Sequence, residues 1–404
     1  MPRLCRSVLK SRRLRSCRLL VHTSCLDLNV SWKQIKLIKS FQAPLSSFPY
    51  KPLDSQRVTS IRVVILHKGS GNDAISCTIE HIQLGSRKYE ALSYEWGQPS
   101  DDDLVIQIDG FGFKVRRNLF DALWHIRLPE EDRYVWIDAI SINQDDLVER
   151  SEEVQKMGRI YRKASCVLVW VGLDAQRSDL AIDYFIQLAA DARKREEDDP
   201  SRATSLQWKL LPVAKRQAII AWLDRRYWKR LWIVQEIHLS QQLKIHCGKC
   251  ILPGQDLYKV ISAMLFDSMY DDSDASTAWN AEIKACAAVK LIGARMPKLP
   301  RCLSGWIQEF MASQCSEPID VVFGLLGLCC DEDLSDNGKF NYAMTPAEVF
   351  RKVLELENTW LEDPGTFFYD FGNRLGLTRT DIVSIREEAL SRRDNNYKEY
   401  ASVL

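Results

Sequence analysis

Arg133-Tyr134-Val135-Trp136-Ile137-Asp138-Ala139-Ile140-Ser141-Ile142-Asn143-Gln144 is apolar along most of its length. It breaks into polar residues at Asp138 and again at Asn143-Gln144. A continuous apolar run of this kind predicts a parallel strand buried on both faces. In open α/β sheets the carboxyl ends of such strands are where ligands bind. Asp138, Asn143 and Gln144 are therefore candidate pocket residues. The same residue types also cap helices, and both readings stand at this point.

Outward from that run the pattern is regular. Residues 146–163 place Val154, Met157, Ile160 and Tyr161 on one helical face. Ser165-Cys166-Val167-Leu168-Val169-Trp170-Val171-Gly172 then reads as another buried strand ended by glycine. Strand, helix, strand of this length is a βαβ unit, which closes right-handed with parallel strands. Ser178 opens a further helix through Leu180, Tyr184 and Leu188, and the charged run 193–199 before Pro200 reads as an exposed loop. Residues 213–224 look helical, and 243–251 reads as a last short strand with Gly248 near its middle.

Upstream, Ile61-Arg62-Val63-Val64-Ile65-Leu66 and residues 74–82 read as a strand hairpin. Gly69 and Gly71 between them make no dinucleotide loop, because no helix follows. Tyr89-Glu90-Ala91-Leu92-Ser93-Tyr94-Glu95-Trp96-Gly97 predicts a buried strand that stops at a loop. Residues 104–108 and 111–115 flank Asp109-Gly110, a hairpin turn signal. Asn118 is the expected N-cap of a helix carrying Leu119, Ala122, Leu123 and Ile126 on one face. Beyond 257 the periodicity is helical, at 260–269, 276–294, 302–312, 345–361 and 378–391, with an apolar segment 321–328 bounded by glycine. The expected organisation is a basic leader and linker at 1–50, an α/β domain at 51–255 and a helical region at 256–404.

Composition narrows the function classes. The chain has 404 residues, 46% hydrophobic and 27% charged, as in soluble globular proteins. A net charge of +1 supplies no global field for nucleic acid or membrane. No run reaches the roughly 18 apolar residues of a transmembrane helix. Residues 1–26 carry Arg3, Arg6, Lys10, Arg12, Arg13, Arg15 and Arg18 and no acid. This is the composition of an organelle transit peptide or of a disordered basic leader, and the leader is the expectation. The chain stops without an evident cap, as a fragment of a longer architecture would. The 12 cysteines are scattered, which points to free thiols in a reducing compartment. His246-Cys247-Gly248-Lys249-Cys250 has zinc-like spacing, but no second pair follows to close a tetrahedral site, and no metal is expected.

A second stretch carries the candidate chemistry: Arg225-Arg226-Tyr227-Trp228-Lys229-Arg230-Leu231-Trp232-Ile233-Val234-Gln235-Glu236-Ile237. Trp232 and Glu236 stand four apart and share a helical face. A carboxylate beside an indole has its charged form disfavoured, while the neighbouring cations favour it. The residues alone allow a packed helix face with an ion-paired glutamate, or a site. Arg225, Arg226 and Arg230 read as a solvated or ion-paired rim. No P-loop, zinc-protease helix, kinase signature or Gly-x-Ser-x-Gly elbow occurs. The six histidines offer no triad, and His238 lies on a different face from Glu236.

Taken in order, several of these blocks resemble the fungal heterokaryon incompatibility (HET) domain. They are Ala91-Leu92-Ser93-Tyr94-Glu95-Trp96-Gly97, residues 136–144, Glu149-Arg150 with Met157 and Ile160-Tyr161, Val169-Trp170-Val171-Gly172, and residues 230–237. The resemblance spans roughly residues 58–240. Residues 318–328 resemble a segment that often follows, with Ile319-Asp320-Val321 where Arg-Asp-Lys is usual. Ser141 stands where the family has Cys, which argues against a nucleophilic thiol there. The HET domain is in turn similar to the TIR domain. That similarity implies a flavodoxin/TIR-like parallel sheet flanked by helices, here with added β-hairpins and a helical C-terminal region. The family resemblance implies self/non-self recognition and triggering of cell death in the cytoplasm, with other proteins of the incompatibility system and further copies of the chain as partners. Many TIR domains hydrolyse NAD, and their catalytic glutamate follows a tryptophan by four positions. Trp232 and Glu236 repeat that spacing, with Ile233 in place of the usual Cys. The similarity thus implies Glu236 as catalytic residue, Tyr94, Trp96, Asp138, Asn143 and Trp232 as ligand-binding residues, and NAD as substrate rather than cofactor. A non-catalytic assembly module of the same fold is the alternative.

Overall fold

Nine strands are described in the computed structural model: β1 Ser60–Leu66, β2 Ser76–Gln83, β3 Glu90–Tyr94, β4 Leu104–Ile108, β5 Phe111–Val115, β6 Arg133–Trp136, β7 Cys166–Trp170, β8 Leu243–Cys247 and β9 Cys250–Pro253. They form one mixed sheet in the order β5-β4-β2-β1-β6-β3-β7-β8-β9. The structure describes residues 48–54, 59–101, 103–198, 211–270, 281–294, 302–329, 340–356 and 365–403. Most of the 1–50 leader and linker lies outside the described residues.

The central strands β6, β3, β7 and β8 are parallel. Taken in chain order among themselves, they lie 2-1-3-4, the doubly wound arrangement of the flavodoxin type. This is an α/β fold of the expected class. β1 pairs antiparallel with β6 and with β2, so the first hairpin extends the sheet on one side. β4 and β5 form the second hairpin, and Asp109 and Gly110 both take positive φ at its turn. That conformation is what a two-residue primed turn requires.

Every residue of β7 is buried, because both faces of the sheet are covered. Alternate residues divide between two cores. Leu92, Tyr94, Leu168 and Trp170 pack on one face with α1, Arg117–Ile126. Ala91, Val167 and Val169 pack on the other. That second face carries α3 Leu147–Lys163, α4 Ser178–Asp198, α5 Val213–Leu223 and α6 Ile233–His238, with α2 the short Asp138–Ser141 helix preceding them.

Several local expectations change. The run 133–144 is not one strand: β6 ends at Trp136, and Asp138 starts α2. The Asp138 Oδ1 accepts from Ala139 N at 2.7 Å and its carbonyl from Ile142 N at 3.2 Å, which closes a turn. Asn118 does not cap α1; Arg116 holds that position. Instead the Asn118 side chain donates to the Glu95 carbonyl and accepts from Trp170 Nε1 at 2.9 Å, tying α1 to two strand ends. The charged run from Arg193 continues α4 to Asp198 rather than forming a loop. Residues 243–253 are a hairpin, with Gly248 at positive φ in its turn and Cys247 opposite Cys250. The Cys-Gly-Lys-Cys spacing is thus accounted for by the turn.

Downstream lie α7 Gly254–Tyr270, α8 Ala287–Ala294, α9 Leu303–Phe310, α10 Asp320–Leu326, α11 Pro346–Leu356, α12 Gly365–Arg374 and α13 Arg379–Val403. Val321, Val322, Phe323 and Leu325 of α10 join the same core as α3 to α6. Gly158 of α3 and Gly327 meet backbone to backbone. Among the described residues no helix is long and apolar enough to cross a membrane.

Candidate functional site

The segment around Arg230 is shaped by aromatic packing. Residues Arg226–Lys229 make a 3-10 turn, with Tyr227 and Trp228 buried. Trp228 packs against Trp222 and Tyr227, and its Nε1 donates to the Trp222 carbonyl at 3.0 Å. The chain then runs beside residue 314: Gln314 N donates to Lys229 O at 2.7 Å, and Leu231 N donates to Gln314 O at 2.9 Å. Trp232 N-caps α6 by position, and the Glu236 N–H reaches back to the Trp232 carbonyl. Residues 233–237 are all buried.

Burial places the Glu236 carboxylate, 2% exposed, beneath the carboxyl end of β3. Ser93 Oγ donates to Glu236 Oε2. A hydroxyl has one proton, so with Glu236 ionised and accepting from Ser93 the 2.6 Å contact between Ser93 Oγ and Tyr227 OH is donated by the tyrosine. The result is a relay from Tyr227 through Ser93 to Glu236. Burial pushes the Glu236 carboxyl up to about 7, opposed by the Arg230 cation and the Ser93 hydrogen bond and assisted by the charge of Asp138. A carboxyl that titrates at neutral pH in a cleft has the signature of a functional group.

Asp138 is the second carboxylate. Trp96 Nε1 donates to its Oδ2 at 2.7 Å, Ala139 N to its Oδ1, and the Tyr94 hydroxyl also bonds to it. Burial raises its affinity for a proton, while these donors and Arg230 hold it down. Arg230 acts on both carboxylates and donates to the Tyr94 carbonyl.

Glu236, Asp138, Trp96 and Trp232 line one cleft of about 530 Å³, a volume suited to a small-molecule ligand. It opens at the carboxyl ends of β3 and β6, beside the point where the strand order reverses. Gln144 lines it too and donates to the Asp138 carbonyl at 3.0 Å. Tyr94 is placed in the core beneath the cleft, with its hydroxyl on Asp138. Asn143 lies outside the lining, where its Oδ1 accepts from Asp145 N and its N–H donates to Glu149.

Other participants were not visible in the sequence pattern. Ser93 and Tyr227 carry the relay, and Gln314, Asp320 and Tyr342 bring the C-terminal region into the cleft wall. The one available signal was position: Ser93 sits at a strand's carboxyl end. The expected rim is also revised. Arg225 gives its guanidinium to the carbonyls of Val171, Leu173 and Ala175, so it is structural. Arg226 is ion-paired with Glu95 at 2.9 Å, as a rim residue would be. Among the described residues no group of three or more His, Cys, Asp or Glu side chains is arranged to hold a metal.

Comparison with known proteins bears on this geometry. Residues 89–236 match the family model described as "Heterokaryon incompatibility protein (HET)". The chain is 28% identical over 249 residues to "Heterokaryon incompatibility protein 6, OR allele" of Neurospora crassa. That match covers 53% of this chain and 35% of the relative, so the chain spans well under half of that protein's length. No solved structure matches.

Proposed function

We propose that this chain, which carries a HET domain over residues 89–236, acts in fungal heterokaryon incompatibility, and that its domain hydrolyses NAD to trigger cell death. The observation that carries the enzymatic part is Glu236: a buried carboxyl at the cleft, titrating near neutrality, with its relay to Ser93 and Tyr227.

The chemistry follows from that carboxylate. NAD holds nicotinamide as a cationic pyridinium on the ribose C1′. As the C1′–N bond breaks, its electron pair returns to the ring, which leaves as neutral nicotinamide and needs no general acid. Positive charge moves to the ribose in an oxocarbenium-like transition state, which a carboxylate stabilises. Water adds at C1′ and gives up one proton, so NAD and water become ADP-ribose, nicotinamide and a proton. In the ionised state Glu236 supplies the stabilising charge. The Ser93 hydroxyl fixes its orientation. Trp96 and Trp232, half-buried on the cleft wall, offer faces for a ring of the ligand.

A cytoplasmic setting is part of the proposal, and the free state of the eight described cysteines supports it. So are partners drawn from the incompatibility system and further copies of this chain. Assembly without catalysis is the competing reading. Leu147 and Val148, 68% and 69% exposed at the start of α3, favour a contact surface there.

Release of nicotinamide from NAD by the purified full chain separates the two. The wild type releases it and Glu236→Gln does not. Equal inertness of both, at concentrations high enough to assemble, removes the enzymatic reading.

A further inference from the structure

Arg150 stands apart from the other cations of the cleft in how its guanidinium is engaged among the described residues. Four arginines line it: Arg116, Arg150, Arg226 and Arg230. Arg116 donates to the Gly97 carbonyl, Arg226 is paired with Glu95, and Arg230 donates to the Tyr94 carbonyl. Among the described residues Arg150 has no hydrogen-bond or ion-pair partner for its guanidinium. It lies half-buried with its Cζ 5.8 Å from the centroid of the Tyr342 ring.

Its seat is built by the C-terminal region. The Tyr342 hydroxyl donates to Asp320 Oδ1 at 2.5 Å, and Asp320 Oδ2 accepts from Glu317 N at 3.1 Å. Both oxygens of the buried Asp320 are therefore engaged within this wall. Tyr342 N also donates to Ser151 Oγ at 3.4 Å, which docks Tyr342 on the first turns of α3. A guanidinium resting on an aromatic face keeps its edge N–H groups free for an anion, and its fork matches two phosphate oxygens.

Building on the NAD reading, we propose that Arg150, seated by Tyr342 and Asp320, anchors a phosphate of a nucleotide ligand in this cleft. The C-terminal region thereby completes the substrate site. Glu236 acts at the glycosidic bond, and Arg150 selects ligands that carry phosphate over a bare nicotinamide nucleoside.

The test is ADP-ribose binding to the full chain by titration calorimetry, with wild type, Arg150→Ala, Arg150→Lys and Tyr342→Ala. ADP-ribose carries the diphosphate but no scissile nicotinamide bond. Binding is expected to weaken at least about tenfold in Arg150→Ala, because a charge-assisted contact is lost. Arg150→Lys recovers part of it, and Tyr342→Ala loses part. The salt dependence of binding flattens in Arg150→Ala. Equal affinity of wild type and Arg150→Ala overturns the proposal, as does failure of the wild type to bind ADP-ribose at millimolar concentration. If Arg150→Ala does not fold, Arg150→Lys decides the matter by the same criterion of weakened affinity. The two proposals fail separately. Arg150-dependent ADP-ribose binding without nicotinamide release keeps the anchor and removes hydrolysis. NAD hydrolysis with a KM unchanged in Arg150→Ala keeps hydrolysis and removes the anchor.

Discussion

Ser93 Oγ donates to the carboxylate of Glu236, which lies 143 residues further along the chain. The bond joins the carboxyl end of β3 to the short helix α6. It ties together a block in the first third of the α/β unit and one in its last third. It also lowers the carboxyl's affinity for a proton in a place where burial raises it.

Ser93→Ala therefore moves the Glu236 titration upward. The variant removes a donor to the charged form and leaves the Tyr227 hydroxyl without its acceptor. If ionised Glu236 stabilises the transition state, nicotinamide release rises with pH through about 7 in the wild type. The midpoint is expected to shift to higher pH in Ser93→Ala. The fold loses about 1–2 kcal/mol, the usual cost of an orphaned buried hydrogen-bonding group. A pH–rate profile together with denaturant unfolding checks both parts.

The same carboxyl gives a stability prediction that does not depend on activity. Its folded value of about 7 lies above its ordinary value of 4.5. The folded state thus holds this proton more tightly than the unfolded chain. Its favourable contribution is fully present below pH 4.5 and is lost as pH rises through about 7. The loss is on the order of 3 kcal/mol. Glu236→Gln carries no such charge, so its melting temperature should exceed that of wild type at pH 8. The advantage should shrink towards pH 5. An advantage of equal size at both pH values would falsify the titration.

Much of this fold was legible because its signals are local. The continuous apolar run of β7 and the Asp109-Gly110 turn each declare themselves within a few residues. The strand through Ala91 and Leu92 does the same. The failures occurred where a side chain reaches a distant partner. Asp138 ends β6 early because its own carboxylate and carbonyl close the next turn, a competition that hydrophobic periodicity does not register. Arg225 looked like a solvated cation, yet it gathers the carbonyls of the loop after β7. Glu236 and Trp232 were visible by spacing. Ser93, Tyr227, Asp320 and Tyr342 were not, since nothing in their neighbours' sequence reports a hydrogen bond made across the fold.

The Arg62–Glu149 pair yields a third prediction. Arg62, with its side chain 1% exposed, meets both Glu149 oxygens at 2.5 and 2.9 Å. It also donates to Ser141 O at 3.1 Å, and Glu149 Oε1 accepts from Asn143 N at 2.7 Å. The pair thus clamps both ends of the turn that follows Asp138. Glu149→Ala strands a buried guanidinium and should cost about 3–5 kcal/mol. Glu149→Gln keeps the shape and one acceptor, and should cost less. Urea midpoints of the two variants measure the difference.

A fourth prediction concerns the joint between α3 and the C-terminal region. A Cβ added at Gly158 would stand 2.7 Å from Gly327 Cα, backbone against backbone, with no flexible side chain to yield. The Gly327 carbonyl also accepts from Arg162 Nη2 at 3.0 Å, so the approach is pinned on both sides. Gly158→Ala must push α3 and the end of α10 apart. Overpacking of this kind costs about 1–3 kcal/mol. The cleft wall that includes Arg150 belongs to α3, and the wall that includes Asp320 belongs to α10. Separation of these helices should therefore reach the site as well as the core. Hydrogen exchange should speed up in residues 320–326 and ADP-ribose affinity should fall, although no lining residue has been changed. If Gly158→Ala lowers stability but leaves both readouts at wild-type values, the C-terminal wall is held to the cleft by contacts other than this joint.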